Sequence, residues 1–152
     1  DSDYFLYCDD VDIGWRIWAY GKRCTLAPDS IVYHKEHGSG LANYLYYYYM
    51  TRNRQWIILK NAPKKDLLWM LPMSIFSSIL QGIILMLSRN SLLAKGTFSG
   101  LFDAFSYINL RKLWNKRKNI PQSENANKLI LGLNLSINIL KRKTVEHLYG
   151  EP

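Results

Sequence analysis

Three carboxylates stand within four residues near the start of this 152-residue chain. Asp9, Asp10 and Asp12 are followed by Arg16, which lies four residues after Asp12 and therefore on the same face of a helix. Clustered acids repel one another unless a metal, a cation or a substrate hydroxyl offsets the cost. The cluster is a candidate site for acid–base or metal chemistry. The structural alternative is a helix start that favours acids, with Asp12 paired to Arg16.

Two histidines form a second candidate region. His34 ends a short apolar run, and His37 stands three residues later in a polar segment that contains glycines and a serine, 38–40. Imidazole is a frequent metal ligand, but no cysteine or further ligand stands beside these two residues. From the residues alone, a structural role is the more common one for a histidine at a strand end, and a ligand role is the alternative.

The segments around both regions have the composition of short strands. An aromatic run at 4–8 and two apolar runs at 24–27 and 31–34 are typical of strands. The Pro28-Asp29 pair predicts the turn between the last two runs.

Two helices are predicted on either side of the histidines. The first covers 11–20, with the Asp9-Asp10 pair at its N-cap and Gly21 as its C-cap. The second covers 41–60, because its aromatic residues recur at one-face spacing.

Residues 67–88 contain no charged side chain, and as a helix this segment is long enough to cross a bilayer. Lysines precede this segment and Arg89 and Lys95 follow it, so the distribution of positive charge gives no orientation. A polar stripe also recurs along it at helical spacing: Ser74, Ser77, Ser78, Gln81 and Ser88. We therefore expect a helix in the membrane interface or a shallow hairpin, with a transmembrane span and a buried soluble helix as alternatives.

Charge divides the chain into an acidic and a basic part. Residues 1–50 carry four basic and seven acidic side chains, whereas 51–152 carry sixteen basic and five acidic ones, for a total of +8. An apolar stripe at 98–108 leads into 111–118, where five cations surround Trp114. This pattern predicts attraction to an anionic membrane surface. The same cluster suits nucleic acid, but its place beside apolar helices favours lipid.

Composition excludes two broad classes of protein. Apolar residues make up 48% of the chain, which rules out intrinsic disorder for the chain as a whole. Cys8 and Cys24 are the only cysteines, too few for a disulfide scaffold. The chain opens without Met and without a basic, apolar leader, which predicts a fragment of a longer domain that is not exported.

Taken in order, these pieces resemble the C-terminal half of the catalytic domain of family 2 glycosyltransferases, which have the GT-A fold. The similarity is to bacterial rhamnosyl- and galactofuranosyltransferase-like enzymes of cell-surface polysaccharide synthesis. It rests on Asp-Asp-Val-Asp-Ile-Gly-Trp-Arg at 9–16, on Val-Tyr-His ending at His34, and on a tyrosine run ending in Arg52-Asn53. It covers 1–61 closely, continues in character only to about Lys118, and leaves the tail unmatched.

The resemblance implies transfer of a sugar from a nucleotide-diphosphate donor to an acceptor hydroxyl, with inversion. Such a reaction needs a base on the acceptor side, and Asp10 matches that base. Asp9 matches the preceding acid that holds the acceptor, although Asp has a shorter reach than the commoner Glu. Asp12 and Arg16 match the helical pair that orients both.

The resemblance also implies a divalent metal, Mn²⁺ or Mg²⁺, on the donor diphosphate, with His34 as a ligand. An imidazole ligand suits Mn²⁺ better than Mg²⁺. The segment 37–40 would close over the donor, with glycines as hinges. Arg52 is expected to face phosphate or a lipid-linked acceptor, with a buried structural pair as the alternative.

Three regions are therefore expected. Residues 1–62 are predicted to be the C-terminal portion of an α/β GT-A fold, 63–119 amphipathic membrane-associated helices, and 120–152 a polar linker and tail with strand-like alternation at 131–139. The expected partners are a nucleotide-diphospho-sugar, a lipid-linked glycan and an anionic membrane at its cytoplasmic face, with no nucleic acid. In the family, the nucleotide-binding half with its Asp-x-Asp metal motif precedes the part that 1–61 resembles. No Asp-x-Asp motif stands upstream of these residues and no glycine-rich phosphate loop is present, so the chain is predicted to be inactive alone. The alternative is a non-enzymatic, basic, membrane-associated module.

Overall fold

The computed structural model describes residues 1–25, 27, 29–33 and 42–121. Over these residues the chain is helical. It forms one 3₁₀-helix and five α-helices, named here η1 (Ser2–Tyr4), α1 (Asp9–Ala19), α2 (Asn43–Asn61), α3 (Lys64–Leu87), α4 (Ser91–Ala104) and α5 (Tyr107–Arg117).

The predicted α/β GT-A fold is wrong, since no residue that the structure describes lies in a strand. The aromatic run at 4–8 contains the end of η1 and an irregular turn, and residues 24–25 and 31–33 have no regular structure. The physical reason is pairing: a strand needs a neighbour for its N–H and C=O groups, and no two of these runs pair with each other. The predicted strand at 131–139 lies outside the described residues.

The first helix begins two residues earlier than predicted and ends at Ala19, with Tyr20 instead of Gly21 as its C-cap. Asp9 is the first helical residue and Cys8 is the N-cap, so the predicted Asp9-Asp10 cap is wrong and both acids lie in the first turn. At the other end Gly21 has φ of 70°, a left-handed conformation that glycine adopts without a steric penalty. Its N–H donates to the carbonyl of Trp18 at 3.0 Å, and the next N–H, that of Lys22, donates to Ile17 at 2.9 Å. These bonds form a Schellman motif.

The second helix is the centre of the fold. It packs against α1, α3, α4 and α5, and from Thr51 to Asn61 nearly every side chain is buried. α4 runs parallel to it with very close backbones: a methyl group added at Gly96 would lie 2.5 Å from the carbonyl oxygen of Tyr44, and one at Gly100 would collide with that of Tyr48. This Gly-x-x-x-Gly spacing allows the approach, because larger side chains would separate the helices.

The third helix is one continuous helix, so a hairpin within 67–88 is wrong. It follows α2 across a short break that begins at Ala62, as predicted, and it contains Pro72. By length and hydropathy it could cross a bilayer, and only 17% of its most apolar window is buried. Among the residues that the structure describes, α3 is therefore not a buried helix.

The polar stripe of this helix faces inward in part. Ser74 and Ser78 are buried against α2, where the Gln55 side chain donates to the Ser78 hydroxyl at 3.1 Å. Ser77 and Ser88 are exposed. The large apolar side chains of α3 thus lie mainly on its outer side.

Replacing Gly100 with Ala tests the close packing of α2 and α4. The added methyl group meets backbone atoms of Tyr48, which cannot rotate away, so we expect the free energy of unfolding to fall by about 1–3 kcal/mol. The matched control is Gly14→Ala in α1, where nothing lies within 4 Å and helix propensity should raise stability by up to about 1 kcal/mol. Urea denaturation followed by circular dichroism measures both; equal effects of the two variants would contradict the packing.

Candidate functional site

The acidic cluster divides into one buried and two exposed carboxylates. Asp12 has no exposed surface, whereas Asp9 and Asp10, less than one helical turn earlier, are exposed to solvent. The division follows from helical geometry, since Asp12 lies on the face of α1 that packs on α2. The three acids therefore have different roles.

Four donors surround the Asp12 carboxylate, and we call the five residues together the Asp12 cluster. Its Oδ1 accepts hydrogen bonds from the Asn61 side chain at 2.8 Å and from the Tyr4 hydroxyl at 3.1 Å. The Lys60 ammonium lies 2.7 Å from the same oxygen, and Arg16 Nε donates to Oδ2 at 2.9 Å. The predicted Asp12–Arg16 pair is present, as one part of a larger network that joins η1, α1 and α2.

Burial and charge act in opposite directions on the Asp12 cluster. Burial alone raises the pKa of Asp12, but hydrogen bonds from Lys60 and Asn61, with the charges of Lys60 and Arg16, outweigh it and hold that pKa below its ordinary value. Burial lowers the pKa of Lys60. Burial and the Asp12 charge raise the pKa of Tyr4, so its hydroxyl stays protonated and donates. The Asp12 carboxylate is thus buried, ionised and paired, whereas the Oδ1 oxygen of Asn61 has no hydrogen-bond partner among the described residues.

Two further acids extend this network to α5. Lys60 lies 2.8 Å from the carboxylate of Asp1, and Lys116 pairs with both Asp1 and Asp3. The hydrogen bond from Lys116 lowers the pKa of Asp3. In addition, the Arg117 guanidinium donates to the carbonyl of Leu59 at 2.8 Å. These contacts fix α5 against the end of α2.

Arg52 is buried and stacked on aromatic rings. Its guanidinium carbon lies 4.1 Å from the centre of the Trp56 ring and 4.8 Å from that of Tyr49. Nη2 donates to the carbonyl of Tyr4 at 3.1 Å, and Nη1 lies 3.8 Å from the Asp103 carboxylate. This geometry fits the structural alternative for Arg52; contact with phosphate or acceptor stays a prediction.

Asn53 holds the turn that leads into α1. Its side-chain amide donates to the carbonyls of Tyr4, Leu6 and Tyr7 at 2.7–3.1 Å. Within this turn Tyr7 and Cys8, like Phe5, have positive φ, which is strained for residues with a side chain. Such strain persists only where surrounding contacts enforce it. The hydrogen bonds from Asn53 are such contacts. They act directly before the first turn of α1, which contains Asp9 and Asp10.

The exposed pair stands at the N-terminus of α1. Asp10 accepts a hydrogen bond from the N–H of Val11 at 2.8 Å, and Asp9 makes no hydrogen bond or ion pair with any residue that the structure describes. Both carboxylates lie in the first turn of α1, at the positive end of the helix dipole. Beside them, burial raises the pKa of the Cys8 thiol to about 11, so Cys8 is not a nucleophile at neutral pH. Asp9 and Asp10 are the side chains free to meet a ligand.

No three histidine, cysteine or acidic side chains converge among the residues whose structure is described. The predicted ligand His34 and the predicted closing segment 37–40 lie outside the described residues. The divalent metal and the ligand role of His34 stay predictions, and no step below is routed through a metal.

Sequence reasoning missed the residues that fix the site from α2 and η1. Lys60 and Asn61 were assigned to the end of a helix, and Tyr4 to a strand, yet they hold Asp12. A signal existed: Lys60 follows the apolar run 56–59, and a lysine buried at such a position needs a carboxylate partner. Nothing in the sequence states which carboxylate that is.

Removing the cation of the Asp12 cluster should be strongly destabilising. Lys60→Met leaves a buried carboxylate short of its closest charge, so we expect the free energy of unfolding to fall by about 3–5 kcal/mol. Lys64→Met, at an exposed position four residues later, should change it by less than about 0.5 kcal/mol. Urea denaturation at neutral pH measures both; similar values for the two variants would show that Lys60 does not stabilise the fold.

Acid should destabilise the protein through Asp12. Because its folded pKa lies below the ordinary value of 3.8, the unfolded chain binds more protons in the window below that value. Stability is therefore complete above the window and is lost as the pH falls through it. Asp12→Asn should weaken this pH dependence while leaving the smaller part due to Asp3. Urea midpoints recorded across this window test the prediction, which fails if parent and variant show the same slope.

Comparison with known proteins gives this chain no relatives. No family model, no curated protein and no solved structure matches it. The roles of its residues therefore depend on the geometry described above and on the motif order in 1–61.

Proposed function

We propose that this chain carries the acceptor-side base of an inverting glycosyltransferase, and that Asp10 is that base. The motif order in 1–61 motivates the proposal, which assumes no GT-A sheet among the residues that the structure describes. The observation that carries it is the contrast within α1: Asp12 is buried and paired, while Asp10 is exposed at the start of a fixed helix.

A general base must be accessible, ionised and held in place. Exposure gives Asp10 access to an acceptor, and its negative charge in the first turn interacts favourably with the helix dipole. The Asp12 cluster and Asn53 hold the helix start from two sides. Asp10 therefore has the properties of a base rather than those of a buried structural acid.

The proposed step uses Asp10 as the proton acceptor. As the hydroxyl oxygen of the acceptor attacks the anomeric carbon of the donor sugar, its proton passes to the Asp10 carboxylate. The bond from the anomeric carbon to the diphosphate oxygen breaks, and the nucleoside diphosphate leaves with that electron pair. Attack from the face opposite the diphosphate inverts the configuration. Asp9, exposed beside Asp10, would accept a hydrogen bond from a second hydroxyl of the acceptor.

One observation favours the non-enzymatic alternative. The hydrogen bond that Asp10 makes is to the N–H of Val11 in its own helix, which is also what an acid with a purely structural role at a helix start does. On this alternative the acids stabilise α1 and the apolar and basic helices are the function. The two candidates differ in whether Asp10 is needed for turnover.

Asp10→Asn in the complete gene product tests the proposal. The amide keeps the size of the side chain but cannot take a proton, so sugar transfer should fall by about 10²–10⁴-fold. Binding of the nucleotide-diphospho-sugar and the urea midpoint should be unchanged, because Asp10 is exposed. Transfer from a panel of nucleotide-diphospho-sugars to a lipid-linked acceptor is the measurement.

Asp29→Asn is the matched control, because it removes one exposed carboxylate outside α1 and should keep full activity. Full activity of Asp10→Asn would remove this residue as the base. No transfer by the parent protein with any donor of the panel would favour the non-enzymatic module.

A further inference from the structure

In the third helix the distribution of side chains is the reverse of that in a helix of a water-soluble protein: the small and polar ones are buried and the large apolar ones are exposed. Its buried residues are small or polar, namely Ser74, Ser78 and Gly82. Its exposed side is formed by large apolar side chains. We call this side the outer face of α3, and it consists of Leu68, Trp69, Met73, Phe76, Ile79, Leu80, Ile83, Ile84, Met86 and Leu87. An apolar patch of this extent on a described surface indicates a partner.

The start and end of α4 continue this apolar surface. Leu92 and Phe102 are largely exposed. Phe98 packs its ring on Gly82 of α3, at a distance that leaves no room for a Cβ. Beside it, Met86 and Phe98 line an apolar cavity of about 340 Å³ that opens to the surface. The hairpin of α3 and α4 therefore presents apolar groups from both helices.

The charges around this hairpin are almost all positive. Residues 64–121 contain nine lysines and arginines and two acids. Both acids are engaged: the side chain of Asp66 accepts from the Trp69 indole at 3.2 Å, and that of Asp103 accepts from the Tyr48 hydroxyl at 2.6 Å. Exposed cations flank the outer face and follow it on α5: Lys64, Arg89, Lys95, Arg111, Lys112 and Lys118. A large apolar face bordered by cations is complementary to an anionic lipid bilayer.

We propose that the outer face of α3, with the exposed apolar residues of α4, inserts into one leaflet of an anionic bilayer, and that α3 lies in the plane of the membrane instead of crossing it. The proposal is independent of the role of Asp10, since it rests on a different surface. It assigns a docking surface to a helix that by length alone is also compatible with a span.

The packing of α3 against α2 indicates whether α3 lies in the plane of the membrane or crosses the membrane. α2 packs along α3 through Gln55, and it carries Arg52, Arg54 and Lys60. Because Gln55 packs beside the middle of α3, a span would carry Arg52, less than one turn from Gln55, and its neighbour Asp103 to the depth of the hydrocarbon, where charges are costly. A helix in the plane buries its outer face among acyl chains and leaves α2 on the side of the water.

Removing apolar groups from the outer face should weaken vesicle binding. Phe76 and Ile83 are 63% and 45% exposed, and the double variant Phe76→Ser/Ile83→Ser changes no charge. Together the two exposed fractions amount to about one full apolar side chain, so the partition coefficient should fall by about 10–200-fold. The control, Ile31→Ser/Tyr33→Ser, replaces two side chains that are even more exposed, 76% and 95%, but lie outside α3 and α4, and it should bind like the parent. Flotation with vesicles containing phosphatidylglycerol, compared with phosphatidylcholine alone, measures binding.

Labelling from outside sealed vesicles separates the plane from the span. Single cysteines at Lys64 and at Asn90, at the two ends of α3, are introduced separately after Cys8 and Cys24 are replaced by Ala. For a helix in the plane, an impermeant maleimide added outside should label both positions to the same extent. Labelling of only one end would contradict the proposal and establish a span.

Two other results would overturn the docking surface itself. Equal vesicle binding by the parent and by Phe76→Ser/Ile83→Ser would show that the outer face does not contact lipid. The second result would come from sedimentation without lipid. If the parent is a dimer and Phe76→Ser/Ile83→Ser is a monomer, the outer face binds a second copy of the chain and not lipid. Neither result bears on sugar transfer, and loss of transfer in Asp10→Asn would not bear on the membrane.

Discussion

The buried ion pair of Asp12 and Lys60 is the constraint on which the rest of the structure depends. A carboxylate and an ammonium without exposed surface are costly to remove from water, so they are tolerated only when each is closely paired. Their pairing fixes α1 against the end of α2, and Tyr4 and Asn61 add η1 to the same unit. Asp12 is the acid whose charge is paired in the protein interior. Asp9 and Asp10, which precede it in the first turn of α1, remain on the surface. The position of Asp9 and Asp10 is thus a consequence of how their neighbour is buried.

The polarity of the remaining fold follows a related rule. α2 is surrounded on several sides and buries amide, hydroxyl and charged groups, while α3 exposes large apolar ones. Close approach at Gly96 and Gly100 brings α4 against α2, and Ala104 joins the buried apolar cluster around Trp56. Helices that associate in this way are typical of proteins that meet lipid, where apolar surface gains little from facing another helix. Both helices would have a suitable environment if α2 lay toward water and the exposed apolar side of α3 lay against a bilayer.

Local features of the fold were predictable from the sequence, and distant pairings were not. Helices 11–20 and 41–60 and the break after Asn61 were predicted to within a few residues, and Gly21 ends α1, because periodicity, glycine and proline act over short distances. The strands were wrong because apolar composition alone does not provide a pairing partner. The Asp12–Arg16 pair follows from four-residue spacing, whereas Lys60 is 48 residues away and no sequence pattern links it to Asp12. The polar stripe of α3 was predictable from the sequence, but which of its residues are buried was not. Ser74 and Ser78 are buried because α2 packs on that part of the stripe.

A double-mutant cycle on Asp12 and Lys60 tests the central claim most directly. The free energy of unfolding is measured for the parent, Asp12→Asn, Lys60→Met and the double variant at neutral pH. If the pair fixes α1 on α2, the second substitution costs much less once the first is present, with a coupling free energy of about 1–3 kcal/mol. Additive effects would contradict the account, because Asp12 and Lys60 would then contribute independently and their pairing would not determine where Asp9 and Asp10 stand.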